Sequence, residues 1–304
     1  MTINQKKIEM SYTRCQNMAL SHYENFPVAS KLLPKNIRKS IAAVYAFARI
    51  ADDISDEGHD DNNTRIKKLS ELSLYLEEIS TGKIIDHPYF CALSHTIHTH
   101  NIPVNLLFDL LHAFKQDVHK SYYENLSEVL NYCKYSANPI GRILLHLCNH
   151  DNEENLKLSD NLCTAFQLIN FAQDIHLDII HRHRCYIPLD MQKKHGICTD
   201  DIRTYRNTDS FIALSQEFIM ICREIFNRGY PLGYKLSGKF GLEMKMTVCA
   251  VNEVLRALEN RQSPYDKPIL RKSVWPKIIF KSIFFNFFKA PQGTENDKLQ
   301  PILP

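Results

Sequence analysis

The sequence predicts an all-α protein, and three observations carry that expectation. Apolar residues recur at intervals of three and four through most of the chain, the pattern of helices that bury one face. No run alternates with the two-residue period of a strand. Glycine supplies 9 of 304 residues, about 3% against a usual ~7%, as expected where tight turns are few. The simplest architecture is a single helical domain over residues 21–265, with residues 1–20 as a lead-in, 266–290 as an aromatic and basic segment and 291–304 as a disordered tail.

The elements follow in order. An apolar helix through Tyr45 and Phe47 ends in the acidic run Asp52-Asp53-Ile-Ser-Asp56-Glu57. Ile66, Leu69, Leu72, Leu76 and Ile79 form a helical stripe after the polar Asn62-Asn63-Thr64. Leu107, Leu110, Leu111, Phe114 and Val118 form another after Pro103, which suits a first helical turn. Ser127 is placed to cap a helix through Leu130 and Cys133, which should bend or break near Pro139 and Gly141. Ser159 or Asp160 is expected to open the helix carrying Leu162, Phe166, Ile169, Ile175 and Ile179. His181 to Ser210 reads as surface loop or short helices, and two further helices are expected at about 211–228 and 241–261.

Composition excludes several classes. Lys plus Arg at 37 against Asp plus Glu at 34 is too balanced for a nucleic-acid-binding surface, so nucleic acid is not an expected partner. Nine cysteines make no CxxC pair, and their odd number suits reduced thiols in the cytoplasm, with Cys133, Cys148, Cys163, Cys222 and Cys249 as small core residues. The opening MTINQKKIEM lacks the apolar stretch of an export signal, and no window has the ~18 apolar residues of a membrane span. Trp275 to Lys289 mixes aromatic residues with lysines. It suits either a helix on the inner face of the cytoplasmic membrane or a terminal helix docked on the core.

Two polar arrays point to chemistry. On a helix, Asp52, Asp53 and Asp56 share one side, because residues three and four apart are neighbours. Gln167, Asn170, Asp174 and Asp178 recur at the same intervals and are flanked by Ile169, Phe171, Ile175 and Ile179. Taken alone, the first array reads as a solvated helix end, and it is the second array that turns the reading toward chemistry. Carboxylates beside apolar neighbours are costly without cations, and Mg²⁺ is a hard ion held by one or two carboxylates together with substrate phosphates. Two such faces converging on one pocket would clamp a diphosphate and assist its departure from carbon. Arg49 and Arg184 are positioned to supply phosphate-directed guanidinium groups. Tyr45, Phe47, Tyr132, Tyr135, Phe166 and Phe171 are either core or shields for a carbocation. His176, His181 and His183 receive no metal role.

From about Ser21 to Arg261 these motifs resemble the squalene and phytoene synthase family of class I isoprenoid enzymes. Its signatures are matched by Tyr45-Ala-Phe-Ala-Arg49-Ile-Ala-Asp52-Asp53-Ile-Ser-Asp56-Glu57 and by Gln167 to Asp178 with Arg184-Cys-Tyr186-Ile-Pro. The resemblance implies a helical bundle around a central cavity, with Asp52, Asp53, Asp56, Asn170, Asp174 and Asp178 on the Mg²⁺-diphosphate side. It makes Arg49, Arg184 and Tyr186 diphosphate contacts and Tyr45, Tyr132 and Gln167 catalytic pocket residues. Two departures, His22-Tyr23-Glu24-Asn25-Phe26-Pro27-Val28-Ala29-Ser30 and Ser136-Ala137-Asn138-Pro139-Ile140-Gly141-Arg142, are similar to the bacterial hydroxysqualene synthases of hopanoid biosynthesis. That branch implies presqualene diphosphate as substrate and water as the capturing nucleophile. Glu24, Asn25 and Asn138 are candidates to hold the water. A synthase condensing two prenyl diphosphates head to head is the alternative within the family, and an inactive helical scaffold the alternative outside it. A partner synthase or a downstream reductase would be the expected protein partners.

Overall fold

The protein is described by a computed structural model, which covers residues 3–21 and 33–285. Glu24, Asn25 and the rest of the 22–30 motif lie outside the described residues, as do 286–290 and the tail from Pro291. Its helices are α1 (Ile3–Ser21), α2 (Arg38–Asp56), α3 (Asn62–Ser80), α4 (Phe90–His100), α5 (Asn105–Asp117), α6 (Leu126–Ser136), α7 (Asn138–Leu147) and α8 (Glu153–His181). They continue as α9 (Leu189–Lys194), α10 (Thr199–Arg203), α11 (Asp209–Gly229), α12 (Leu232–Lys235), α13 (Gly238–Glu259) and α14 (Trp275–Ile283). The expected all-helical class is found. Among the described residues the extended pairing is limited to one parallel bridge, Tyr122 with Cys185. The framework divides into two compact units, Met1–His119 with Pro139–Asn152 and Lys120–Asn138 with Glu153–Pro304.

In the first unit, α2 packs against α1, α3, α4 and α5. Helix α1 occupies the expected lead-in. Its inward positions Ile8, Tyr12, Cys15 and Ala19 are spaced four, three and four, but Cys15 and Ala19 are small and Tyr12 is amphipathic, so the apolar stripe is faint in the sequence. They meet Ala42, Ala43 and Ala46 of α2 and Ala92 of α4, where small side chains let helix backbones approach closely. The Tyr12 hydroxyl reaches Thr96 Oγ1 at 2.8 Å, and Ala92 N–H donates to Ser11 Oγ at 2.9 Å, so the buried hydroxyls of Tyr12 and Ser11 find partners across this interface. Helix α3 buries Leu69, Leu72, Leu76 and Ile79, and Asp61 caps it by accepting from Thr64 N–H at 2.7 Å.

The second unit is built on α8, a 29-residue helix that packs against α6, α10, α11, α12 and α13. It begins at Glu153 and not at Ser159 or Asp160. Glu153 and Glu154 complement the positive helix start, and the apolar-polar pattern at Asn155 and Leu158 continues into the body of the helix. The cap of α6 also differs: Asn125, not Ser127, accepts from Glu128 N–H at 3.1 Å, because Asn125 has the extended backbone a cap needs. The chain breaks at Ala137 between α6 and α7, as Pro139 requires. The 181–210 stretch holds the last residue of α8, the short α9 and α10, and the first two residues of α11. None of the nine cysteines forms a disulfide; Cys133, Cys222 and Cys249 are buried as expected, but Cys148, just beyond the end of α7, and Cys163 of α8 are only half-buried.

The α8–α11 contact is tight at Gly229. A Cβ there would lie 2.7 Å from Leu162 N and 2.9 Å from Leu158 O, both backbone atoms of α8. Overpacking costs about 1–3 kcal/mol, more than the ~1 kcal/mol that alanine returns in helix propensity. Gly229→Ala should therefore lower the midpoint of a urea melt at unchanged slope, and equal stability would contradict this packing.

Candidate active site

The first acid array ends α2. Asp52, Asp53 and Asp56 are half-buried in its last turn, at the negative end of the helix dipole, so repulsion is compounded by the backbone. Arg49, one turn earlier and only 15% exposed, answers both. Its guanidinium lies 2.7 Å from Asp53, 2.8 Å from Glu57 and 3.5 Å from Asp52. Asp56 is oriented by the buried Ser55, whose hydroxyl donates to Asp56 Oδ1 at 3.0 Å. The turn beyond the array is clamped from α3: Arg65 donates to the carbonyls of Ile54, Gly58 and Asp60 at 3.0–3.1 Å. Gly58 has φ +78°, a left-handed conformation that favours glycine. Tyr45 packs on the alanine-lined cluster of α1, α2 and α4, and Phe47 is buried edge-on to Phe90.

The second array lies on α8. Gln167, Asn170 and Asp174 are half-buried, Asp178 is buried, and the flanking Ile169, Phe171, Ile175 and Ile179 are all buried, as their spacing predicts. Lys267, 93 residues away in sequence, forms an ion pair with Asp174. It comes from the segment after α13, which is tied to α8 by Arg261 on Ala172 O at 3.0 Å and by Gln173 on Pro268 O at 3.2 Å. Among the described residues Asp178 Oδ2 is buried with no hydrogen-bond partner, and the Arg182 guanidinium lies 3.9 Å from Oδ1. Burial pushes the Asp178 carboxyl up to about 7, with Arg182 opposing and the like charge of Asp174 adding to the rise.

Helix α8 ends by turning back on Asp178. Its carbonyl accepts from both Arg182 N–H at 3.0 Å and Arg184 N–H at 3.1 Å, with His183 between them at φ +55°. That turn brings Arg184 back as a buried residue whose charge is felt at Asp178. The strap that follows pairs with residues 121–124: Cys185 N–H donates to Ser121 O, Leu189 N–H to Tyr123 O and Asp190 N–H to Glu124 O, at 2.8–3.0 Å. Gln192, 2% exposed, fastens it by donating to Ile187 O at 2.8 Å. Tyr186 is thereby laid flat on Phe171, ring centroids 3.7 Å apart, with Tyr132 and Tyr123 each 5.6 Å from it. Asn138 is buried, and its side-chain carbonyl accepts from Thr164 Oγ1 at 3.0 Å.

Each array is thus assembled with its own arginines and rings. Sequence reasoning missed Arg65, Lys267, Tyr123, Gln192 and Thr164, and of these only Tyr123 gave a signal, being a second aromatic close before Tyr132.

Residues 20–277 match the family model described as squalene/phytoene synthase. The chain belongs to that family. It is 30% identical to the hydroxysqualene synthase of Rhodopseudomonas palustris over 239 residues, 78% of this chain and 80% of that one. With the hydroxysqualene synthase of Sinorhizobium fredii it shares 35% over 214 residues, 70% of this chain and 72% of that one. The crystal structure of squalene synthase HpnC from Alicyclobacillus acidocaldarius superposes with a TM-score of 0.77 at 31% identity, over 83% of this chain and 94% of that one. The protein is therefore an isoprenoid diphosphate-utilising synthase with the all-helical fold of this family.

Squalene/phytoene synthases typically use a divalent metal with their diphosphate substrates. The donors here suit a hard cation: they are carboxylate and amide oxygens, and the Asp178 Oδ2 is buried without a partner. Among the described residues no three His, Cys, Asp or Glu side chains are gathered as a ligand cluster, and Arg49 and Lys267 hold the acids instead.

The raised Asp178 pKa sets a pH dependence. An unfolded aspartate ionises near ~3.9, so the group's contribution to stability is intact below that pH and is lost as pH rises to about 7. In metal-free buffer, Asp178→Asn should raise the thermal midpoint more at pH 8 than at pH 5. An equal shift at both would show that Asp178 is not held protonated by burial.

Proposed function

We propose that the protein is a hydroxysqualene synthase, converting presqualene diphosphate and water to hydroxysqualene and inorganic diphosphate. The observation that carries this reading is its likeness to two hydroxysqualene synthases over 70–78% of the chain. The buried Asn138 of the Ser-Ala-Asn-Pro stretch supports it. In this reading Asp52, Asp53 and Asp56 together with Asn170, Asp174 and Asp178 hold Mg²⁺ and the substrate diphosphate. The bound ion would neutralise charge that builds on the leaving diphosphate as its bond to carbon breaks. Arg49 and Arg184 donate to phosphate oxygens, which requires Arg49 to exchange its present carboxylate partners for the substrate.

Once the carbon–oxygen bond breaks, the positive charge resides on a hydrocarbon skeleton, and the groups that stabilise it must not trap it. In this reading the clustered rings of Tyr132, Phe171 and Tyr186 meet that need through their electron-rich faces, and Tyr45 and Gln167 keep the catalytic roles that the family motifs imply for them. Capture requires one oriented water in a dry site; its oxygen forms the new bond to carbon and its proton leaves to solvent or diphosphate. Thr164 fixes the Asn138 amide through its carbonyl, so the NH₂ end is the group available to position that water.

A head-to-head condensing reaction is the second reading, favoured by the superposition on a protein named squalene synthase. Purified protein incubated with Mg²⁺ and either presqualene diphosphate or farnesyl diphosphate, without NADPH, separates the two by mass spectrometry of products. Hydroxysqualene from presqualene diphosphate alone is expected, with Asp53→Ala or Asp174→Ala lowering kcat/KM by at least about a hundredfold. Consumption of farnesyl diphosphate would select the condensing reading. Asn138→Ala should lower the share of hydroxysqualene among products, and an unchanged share would remove Asn138 from water placement.

A further inference from the structure

Helix α14 presents two different faces. Ile278 and Ser282, one turn apart, are buried, and Phe285 beyond the helix end is 1% exposed. The Phe285 ring stacks on Tyr230 at 5.0 Å and leaves no room for a side chain at Gly233, where a Cβ would lie 2.6 Å from it. This face docks the helix on α12 and α13. The other face carries Ile279, Phe280, Ile283 and Phe284, which are 42–63% exposed, with Trp275 at 39% at the helix start. Five large apolar side chains within ten residues form a patch that a water-facing helix does not need.

Charge around the patch selects its occupant. Residues 267–285 contain Lys267, Arg271, Lys272, Lys277 and Lys281 and no Asp or Glu. Lys277 and Lys281 are drawn to one edge by Glu253, at 2.7 and 3.0 Å, which leaves the outer face wholly apolar with a basic border. Two copies joined through this face would bring like-charged borders together. An anionic lipid surface complements both features, because aromatic and aliphatic side chains enter the headgroup boundary while lysine and arginine meet the phosphates. The helix cannot cross the bilayer: nine residues span about 14 Å against a ~30 Å core, and no helix among the described residues is long and apolar enough to do so.

We propose that α14 lies flat on an anionic membrane surface, with Ile279, Phe280, Ile283 and Phe284 inserted and its buried face fixed to the enzyme through Ile278 and Phe285. The two interpretations of this segment, docked on the core and bound to lipid, are then both correct, one for each face. The proposal does not depend on which prenyl diphosphate is the substrate.

Trp275 is the only tryptophan in the chain, so its emission reads this helix alone. Full-length protein is titrated with vesicles of phosphatidylcholine and with vesicles of equal parts phosphatidylcholine and phosphatidylglycerol. The anionic vesicles should shift Trp275 emission to the blue, brominated lipid should quench it, and raising salt from about 0.1 M to about 0.5 M should weaken binding. Phe280→Ser with Phe284→Ser should weaken binding about tenfold or more while leaving the circular dichroism and thermal midpoint unchanged. Lys272→Gln, a surface change that leaves the apolar face intact, should reduce the salt dependence. An unmoved Trp275 spectrum, or binding insensitive to the Phe pair, would overturn the proposal. So would a dimer in sedimentation velocity that the Phe pair dissolves, which assigns the face to a second copy. Vesicle binding that appears only after residues 286–304 are removed would assign it to the chain's own C-terminal segment and overturn the proposal as well.

Discussion

Anions at the C-terminal end of a helix meet the negative end of its dipole as well as one another, and both acid arrays of this protein stand there. Asp52, Asp53 and Asp56 fill the last turn of α2, and Asp178 lies in the last turn of α8 with Asp174 one turn before it. Positive charge must be brought to each place, and much of the local structure consists of the means of bringing it. Arg49 reaches three acids from within α2, and Arg65 crosses from α3 to hold the carbonyls that follow them. At α8 the cations are Arg182, Arg184 and Lys267. A sequence selected for stability alone would not concentrate carboxylates where backbone, neighbours and burial all oppose them. The cost is understandable in a family that handles diphosphate, where cation affinity is the property required.

The same constraint shapes the chain after α8. Terminating the helix through the Asp178 carbonyl, with His183 in a left-handed turn, reverses the backbone so that Arg184 is buried close to the acid that needs it. The reversed strap is then registered on residues 121–124 by backbone hydrogen bonds, and its next side chain but one, Tyr186, lands on Phe171. One helix ending thus delivers a counter-charge and a ring stack together. Asp178 remains undersupplied: among the described residues its second oxygen has no hydrogen-bond partner, and its carboxyl is pushed up to about 7, so a bound cation there would relieve an existing electrostatic deficit.

Packing elsewhere follows simpler rules. Where helices approach closely, the residues are small: the alanines of α2 and α4 facing α1, Gly229 of α11 facing α8, and Gly233 beneath the Phe285 ring. Each exchanges side-chain volume for proximity. At α14 the exchange stops halfway, with one face packed into the unit and the other left apolar.

The sequence by itself determined the helical class, the stripes of α3, α5, α11 and α13, the break before Pro139 and the shared azimuth of the acids in each array. All of these follow from a period of 3.6 residues and the missing amide of proline, which act over a turn or two of chain. Helix α1 was poorly legible because two of its inward residues, Cys15 and Ala19, are small and a third, Tyr12, is amphipathic, and the start of α8 because acidic first-turn residues, not Ser159, mark it. Only the tertiary structure decided that Lys267 would answer Asp174, that Arg65 would clamp the end of α2, that Gln192 would fasten the strap and that Tyr186 would stack on Phe171. Those choices pair residues from 5 to 93 positions apart, and none of them follows the three- and four-residue spacing by which a helix brings side chains together. They depend on which backbone segments the packed helices bring alongside one another.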